Sequence, residues 1–231
     1  DMLSQPMLDV LDALVDKGLQ NGRWWMFLDR NNQASVFGVY EEESLFRLMT
    51  LGVVAVLPTN RRNTIPIATE TEIVTLPQFP PAATVDGIPV QTNWYSKPAE
   101  QRQLLKSTLK KLLNEEISPH QITVLSCRRA EDSCANHFNE FHLASITEDN
   151  AWKVGSGLLD QITSCTISSF KGLENDFIVL TDIDELAPEW WRGVVYVGMS
   201  RARIGFYLLV NNKLRALCDE RQKDWIRKNP V

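Results

Sequence analysis

Apolar residues along this chain recur in two alternating rhythms, and the alternation predicts the fold class. Over residues 2–20, Leu3, Met7, Leu8, Leu11, Leu14 and Val15 share one helical face, with Gly18 and Gly22 near its end. Arg23 to Leu28 (RWWMFL) then reads as a buried strand, followed by a helix over 41–50 and a short apolar strand over 53–57. A helix over 64–74 leads into a loop-rich stretch, 76–98, that carries Pro77, Pro80, Pro81, Pro89 and Pro98. Beyond it come a helix over 99–114 and strands over 122–127, 164–167, 177–181 and 204–210, with a helix over 189–200 before the last. Strand and helix alternate without any internal repeat, so a parallel α/β sheet is expected. Such sheets bind ligands at the loops that follow the C-terminal ends of their strands.

Composition narrows the class without changing it. The chain has 231 residues, 44% of them hydrophobic and 23% charged, enough for a sizeable core. No run approaches the roughly 20 apolar residues that a bilayer span needs, so no membrane association is expected. The sequence opens on Asp1 and shows no secretory signal, so it reads as a fragment with no export route. Cys127, Cys134, Cys165 and Cys218 form no CxxC pair, which argues against a zinc site and for a reducing, cytoplasmic setting. His120, His137 and His142 have no ligand spacing either, so no metal site is expected within the chain.

The formal net charge of −5 gives no global attraction for nucleic acid, but its distribution is uneven. Residues 131–191 hold only Lys153 and Lys171 against twelve acids, whereas residues 201–231 hold eight Lys and Arg against three acids. An anionic ligand should prefer the C-terminal part, although a solvated basic helix produces the same run.

Two polar segments beside predicted strands carry candidate chemistry. In Thr166-Ile167-Ser168-Ser169-Phe170-Lys171-Gly172-Leu173-Glu174-Asn175-Asp176, Gly172 permits close backbone approach or positive φ. Lys171 offers a cation for phosphate, and Glu174 an acceptor for sugar hydroxyls. In Val194-Val195-Tyr196-Val197-Gly198-Met199-Ser200-Arg201-Ala202-Arg203, two arginines stand at a helix-to-strand turn. Being two apart, they share one side of an extended chain, or else one of them caps the helix C-terminal carbonyls. Asp182, Asp184 and Glu185, just after a buried strand, read as the polar rim of the sheet.

Together, in this order and about 30 residues apart, these segments resemble motifs V and VI of the UvrD/Rep-type superfamily 1 DNA helicases. Leu57-Pro58-Thr59-Asn60-Arg61-Arg62-Asn63-Thr64 is similar to motif IV, with Arg61 where the family has tyrosine. Phe27-Leu28-Asp29-Arg30-Asn31-Asn32-Gln33 is similar to motif III, and Asp1-Met2-Leu3 looks like the tail of a Walker B motif. No GxxxxGK[ST] occurs in the chain.

The resemblance implies a RecA-like parallel sheet between helices. Residues 1–51 are then the C-terminal remnant of a first lobe and residues 52–231 a second lobe. Its activity would be ATP-dependent DNA unwinding or translocation, with the isolated fragment inactive. Arg62 and Arg201 are then arginine fingers and Gln33 a water-positioning or γ-phosphate-sensing group. Asp29, Gly172 and Glu174 join both arginines around ATP. Thr166, Ser168, Lys171, Phe37 and Tyr40 are implied contacts to single-stranded DNA. Magnesium and the triphosphate cradle would come from an N-terminal RecA-like lobe of the same protein. Lys171 follows Arg62 by only 109 positions, which leaves no space for the large inserted subdomain of the best-known family members. The competing expectation is a helicase-derived, catalytically silent module that binds protein or nucleic acid through its basic C-terminal segment.

Overall fold

A computed structural model describes residues 3–28, 41–77, 82–138 and 140–230. Its centre is a six-stranded, all-parallel sheet in the order β3-β8-β7-β4-β6-β5. The strands are β3 (Gln91–Tyr95), β4 (Ile122–Ser126), β5 (Leu143–Ser145), β6 (Ile162–Thr166), β7 (Asn175–Ile183) and β8 (Ala202–Asn211). A separate two-residue ladder pairs β1 (Thr59–Asn60) with β2 (Ala82–Ala83).

The inner strands are apolar on both faces because helices cover both. Phe177, Val179, Tyr207 and Leu209 pack with Leu105, Leu109 and Leu112 of α5 (Pro98–Asn114). The alternate residues Ile178, Leu180, Phe206 and Leu208 meet the other layer. That layer consists of α4 (Ile65–Thr75), α6 (Glu189–Met199) and α7 (Arg215–Lys228). Arg221 of α7 donates to the carbonyls of Val74 and Leu186, tying α7 to α4 and to the loop after β7.

The first described residues form α1 (Gln5–Leu14), α2 (Gly18–Asn21) and α3 (Glu42–Leu51). Their core of Leu3, Leu8, Leu19, Leu45 and Leu48 is a cluster of its own. The single helix expected over 2–20 is broken after Leu14. Lys17 and Gly18 adopt positive φ, and the Asp12 carboxylate accepts the Leu19 N–H at 2.7 Å.

Three further expectations are corrected. RWWMFL is not a strand and is not buried: Trp25 is 89% exposed, and only Trp24 is anchored, its indole N–H donating to the Leu19 carbonyl. The segment 53–57 forms no strand either, and Val53 is fully exposed. Both have strand-like composition, but among the described residues neither has a neighbouring strand to complete its backbone hydrogen bonds. Conversely, the Pro-rich stretch holds β3, an edge strand paired along its whole length with β8.

Candidate functional site

Because all six strands run the same way, the predicted residues separate onto two edges of the sheet. β6 ends at Thr166 on the C-terminal edge, whereas β7 begins at Asn175 on the N-terminal edge. Residues 167–174 cross between them in tight turns, anchored by the buried side chains of Ile167 and Phe170. At Gly172, φ is +86°, a conformation that strains any L side chain although the space around it is open.

On the N-terminal edge, three segments distant in sequence meet. The loop over 60–63 is folded by Asn60, whose Oδ1 accepts the backbone N–H groups of Arg62 and Asn63, each at 3.0 Å. Asn63 is buried, and its amide donates to the carbonyls of Ala202 at 2.6 Å and Ser200 at 3.3 Å. This clamp holds the loop against the turn between α6 and β8. From it the Arg62 Nε donates to Glu174 Oε2 at 2.8 Å. Arg203 Nε approaches Glu174 Oε1 at 3.9 Å and Asp176 Oδ1 at 3.6 Å.

Glu174 thus stands between two guanidinium groups. All three side chains are more than two-fifths exposed, so each ion pair is worth at most about 1 kcal/mol.

Arg201 behaves differently from its neighbour. It is buried and its Nε donates to the Val197 carbonyl of α6 at 3.1 Å, so it and Arg203 do not share one side of an extended chain. The helix ends only at Ser200, and the two-residue period of β8 begins at Ala202. The Lys171 ammonium is held below its usual range, first by burial and then by the Arg201 guanidinium, which sets both cations in one neighbourhood.

On the C-terminal edge, Thr166 Oγ1 exchanges hydrogen bonds with the hydroxyls of Ser168 (2.9 Å) and Ser169 (3.0 Å) and accepts the Ser169 N–H. The acids expected to form a polar rim of the sheet here build a hydrogen-bonded network. Asp184 accepts from Tyr95 Oη and Asn211 Nδ2 on one oxygen, and from Nε and Nη2 of Arg128 on the other. Burial is the largest single influence on the Arg128 pKa and lowers it, but Asp184, Asp182 and Tyr95 together turn the net shift upward. Burial, together with Asp184 and Asp182, pushes the Tyr95 phenol up.

Asp182, buried at a bulge of β7 with φ of 63°, accepts from Ser126 Oγ, Thr181 Oγ1 and the Cys134 N–H. The available signal for this network was the pair of acids two apart after an apolar strand, together with Arg128 after β4. Its partners come from four strands.

Asp29, Gln33, Phe37 and Tyr40 lie outside the described residues. No group of three or more His, Cys, Asp or Glu side chains suited to a metal ion occurs among the described residues. No described helix is long and apolar enough to cross a membrane.

No protein-family model and no curated protein matches the sequence. The fold is similar to that of the C-terminal domain of a possible DNA helicase from Lactobacillus plantarum WCFS1, at a TM-score of 0.50 and 13% identity. The match covers 66% of this chain and 88% of that one. At this identity the likeness concerns fold alone: a mixed α/β domain with a six-stranded parallel sheet between helices, in keeping with a RecA-like helicase C-terminal domain.

Proposed function

We propose that this chain is the second RecA-like lobe of an ATP-dependent, UvrD/Rep-like DNA helicase or translocase, preceded by the tail of the first lobe at residues 1–51. The observation that carries the reading is the meeting of Arg62, Glu174 and Arg203 on one sheet edge, with Arg201 at the same helix-to-strand turn. Loose phosphoryl-transfer transition states spread negative charge over equatorial oxygens, and guanidinium groups stabilise that charge. Weak pairing with Glu174 leaves Arg62 and Arg203 able to exchange the carboxylate for phosphate. Glu174, released, can accept hydrogen bonds from ribose hydroxyls.

Bound ATP would supply the transferable phosphoryl group, with magnesium and the triphosphate cradle contributed by an N-terminal lobe. The exposed strand-like segments 23–28 and 53–57 support such a partner, since they present apolar residues in need of a sheet. Thr166, Ser168 and Lys171 would grip single-stranded DNA. The burial of Arg201 against its own helix favours a second reading, a silent interaction module in which this arginine is structural.

ATP turnover by the intact gene product, with and without single-stranded DNA, separates the two. The motor reading expects DNA-stimulated turnover, with Arg62→Ala and Arg201→Ala each lowering kcat by about 10³ or more. DNA affinity should change little in either variant. Absent turnover in the wild type refutes the motor, and equal losses of kcat and DNA affinity reassign the arginines to the DNA track.

A further inference from the structure

The β4-to-β5 crossover gives this lobe a cavity with its own chemistry. Parallel strands are usually joined through a helix that covers the sheet. Here, among the described residues, the connection over 127–142 contains a single 3₁₀ turn, Ala130–Asp132, and otherwise turns and bends. Beneath it, at the β6 and β5 end of the sheet, lies a cavity of about 490 Å³, within the roughly 300–1,000 Å³ usual for small-molecule sites.

Its lining is selective. Phe141, its ring stacked on the buried Phe138 at 6.0 Å and 13° from parallel, supplies the aromatic side. Ser145 and Ser164, opposite one another on β5 and β6, contribute hydroxyls, and His142 an imidazole. Asn136 donates one amide hydrogen to the Glu131 carbonyl, with its Oδ1 left as an acceptor. Among the described residues, no Asp, Glu, Lys or Arg lines the cavity. An uncharged lining of an aromatic ring and hydrogen-bonding groups offers phosphate no countercharge and suits a neutral, flat heterocycle. Thr166 and Ser169, which belong to the hydroxyl cluster ending β6, also line this cavity.

We propose that the cavity receives one unstacked base of a single strand passing the end of β6. The strand as source of the base rests on the function proposed above; the pocket's affinity for a nucleobase does not. Base recognition here would be by insertion, beside contacts to the backbone at Thr166 and Ser168, so that the grip depends on a base being present.

The test uses the chain itself and two probes. Titration with adenosine, followed by NMR, is expected to give saturable shifts at His142 and Phe141. Ser145→Trp, a substitution at an exposed strand end, should fill the cavity and weaken that response about tenfold or more. By fluorescence polarisation, a base-bearing oligonucleotide should bind about tenfold tighter than an abasic strand of equal length. That ratio should fall to about one in Ser145→Trp, and the milder His142→Ala should reduce it partway. No saturable response to adenosine overturns the pocket, as does equal affinity of the wild type for both strands. Adenosine binding without affinity for either strand overturns the nucleic-acid reading and the strand as source of the base.

Discussion

Replacing Asn63 by alanine tests whether the arginine cluster is built by a side-chain clamp or merely adjoins it. The buried amide makes three hydrogen bonds: to the Ala202 carbonyl at 2.6 Å, to the Ser200 carbonyl at 3.3 Å, and from Asn60 Nδ2 at 2.8 Å. A net hydrogen bond contributes about 1 kcal/mol, and a buried acceptor left unsatisfied costs about 1–3 kcal/mol more. The 3.3 Å contact counts for least, so the expected loss is about 3 kcal/mol, a large part of the 5–15 kcal/mol typical of a domain. For a chain of this size that is a fall in Tm of roughly 6–12 °C, measurable by circular dichroism in thermal and urea unfolding. Asn63→Asp should be worse than alanine, because it turns a carboxylate toward two carbonyl oxygens in a buried site. Losses below about 0.5 kcal/mol in both variants would refute the clamp.

Other consequences can be checked with the same preparations. In Gly205→Ala the new Cβ would stand 2.5 Å and 2.6 Å from two ring carbons of Phe177, so a loss of about 1–3 kcal/mol is expected; unchanged stability would show that the ring yields freely. Burial raises the Glu70 pKa above 4.5, so the folded chain holds that proton more tightly than the unfolded one. Its contribution is complete below about pH 4.5 and is lost as pH rises through the folded value. Glu70→Gln should therefore raise Tm at pH 7 and have little effect near pH 4, and an equal gain at both would contradict this. The Cys134 and Cys165 thiols are pushed up to about 12, chiefly by burial, and iodoacetamide at pH 8 should label them far more slowly in the native chain than in urea. Comparable rates in both states would refute their protection.

The inner strands and α5 were legible in the sequence because burial on two faces or one leaves a periodic record. β3 was not, since in Gln91-Thr92-Asn93-Trp94-Tyr95 only Tyr95 is buried and prolines stand on both sides. β5 is three residues long and leaves too short a pattern. The opposite error, strand-like segments without strands, has the same cause: alternation and β-branching describe a surface that fits a sheet but supply no partner for it.

At the site, the motif residues were visible one segment at a time, but their meeting was not. Arg62 and Glu174 are 112 residues apart, and only the order of strands brings them to one edge. The different fates of Arg201 and Arg203 turn on where the helix lets go of the chain, a boundary that spacing alone does not fix. That boundary decides which of the two arginines reaches the surface. Arg203 is already on the surface beside Glu174, so it can change partners by rotamer motion alone. Arg201 is buried and holds the Val197 carbonyl through its Nε, so its position is tied to the last turn of α6.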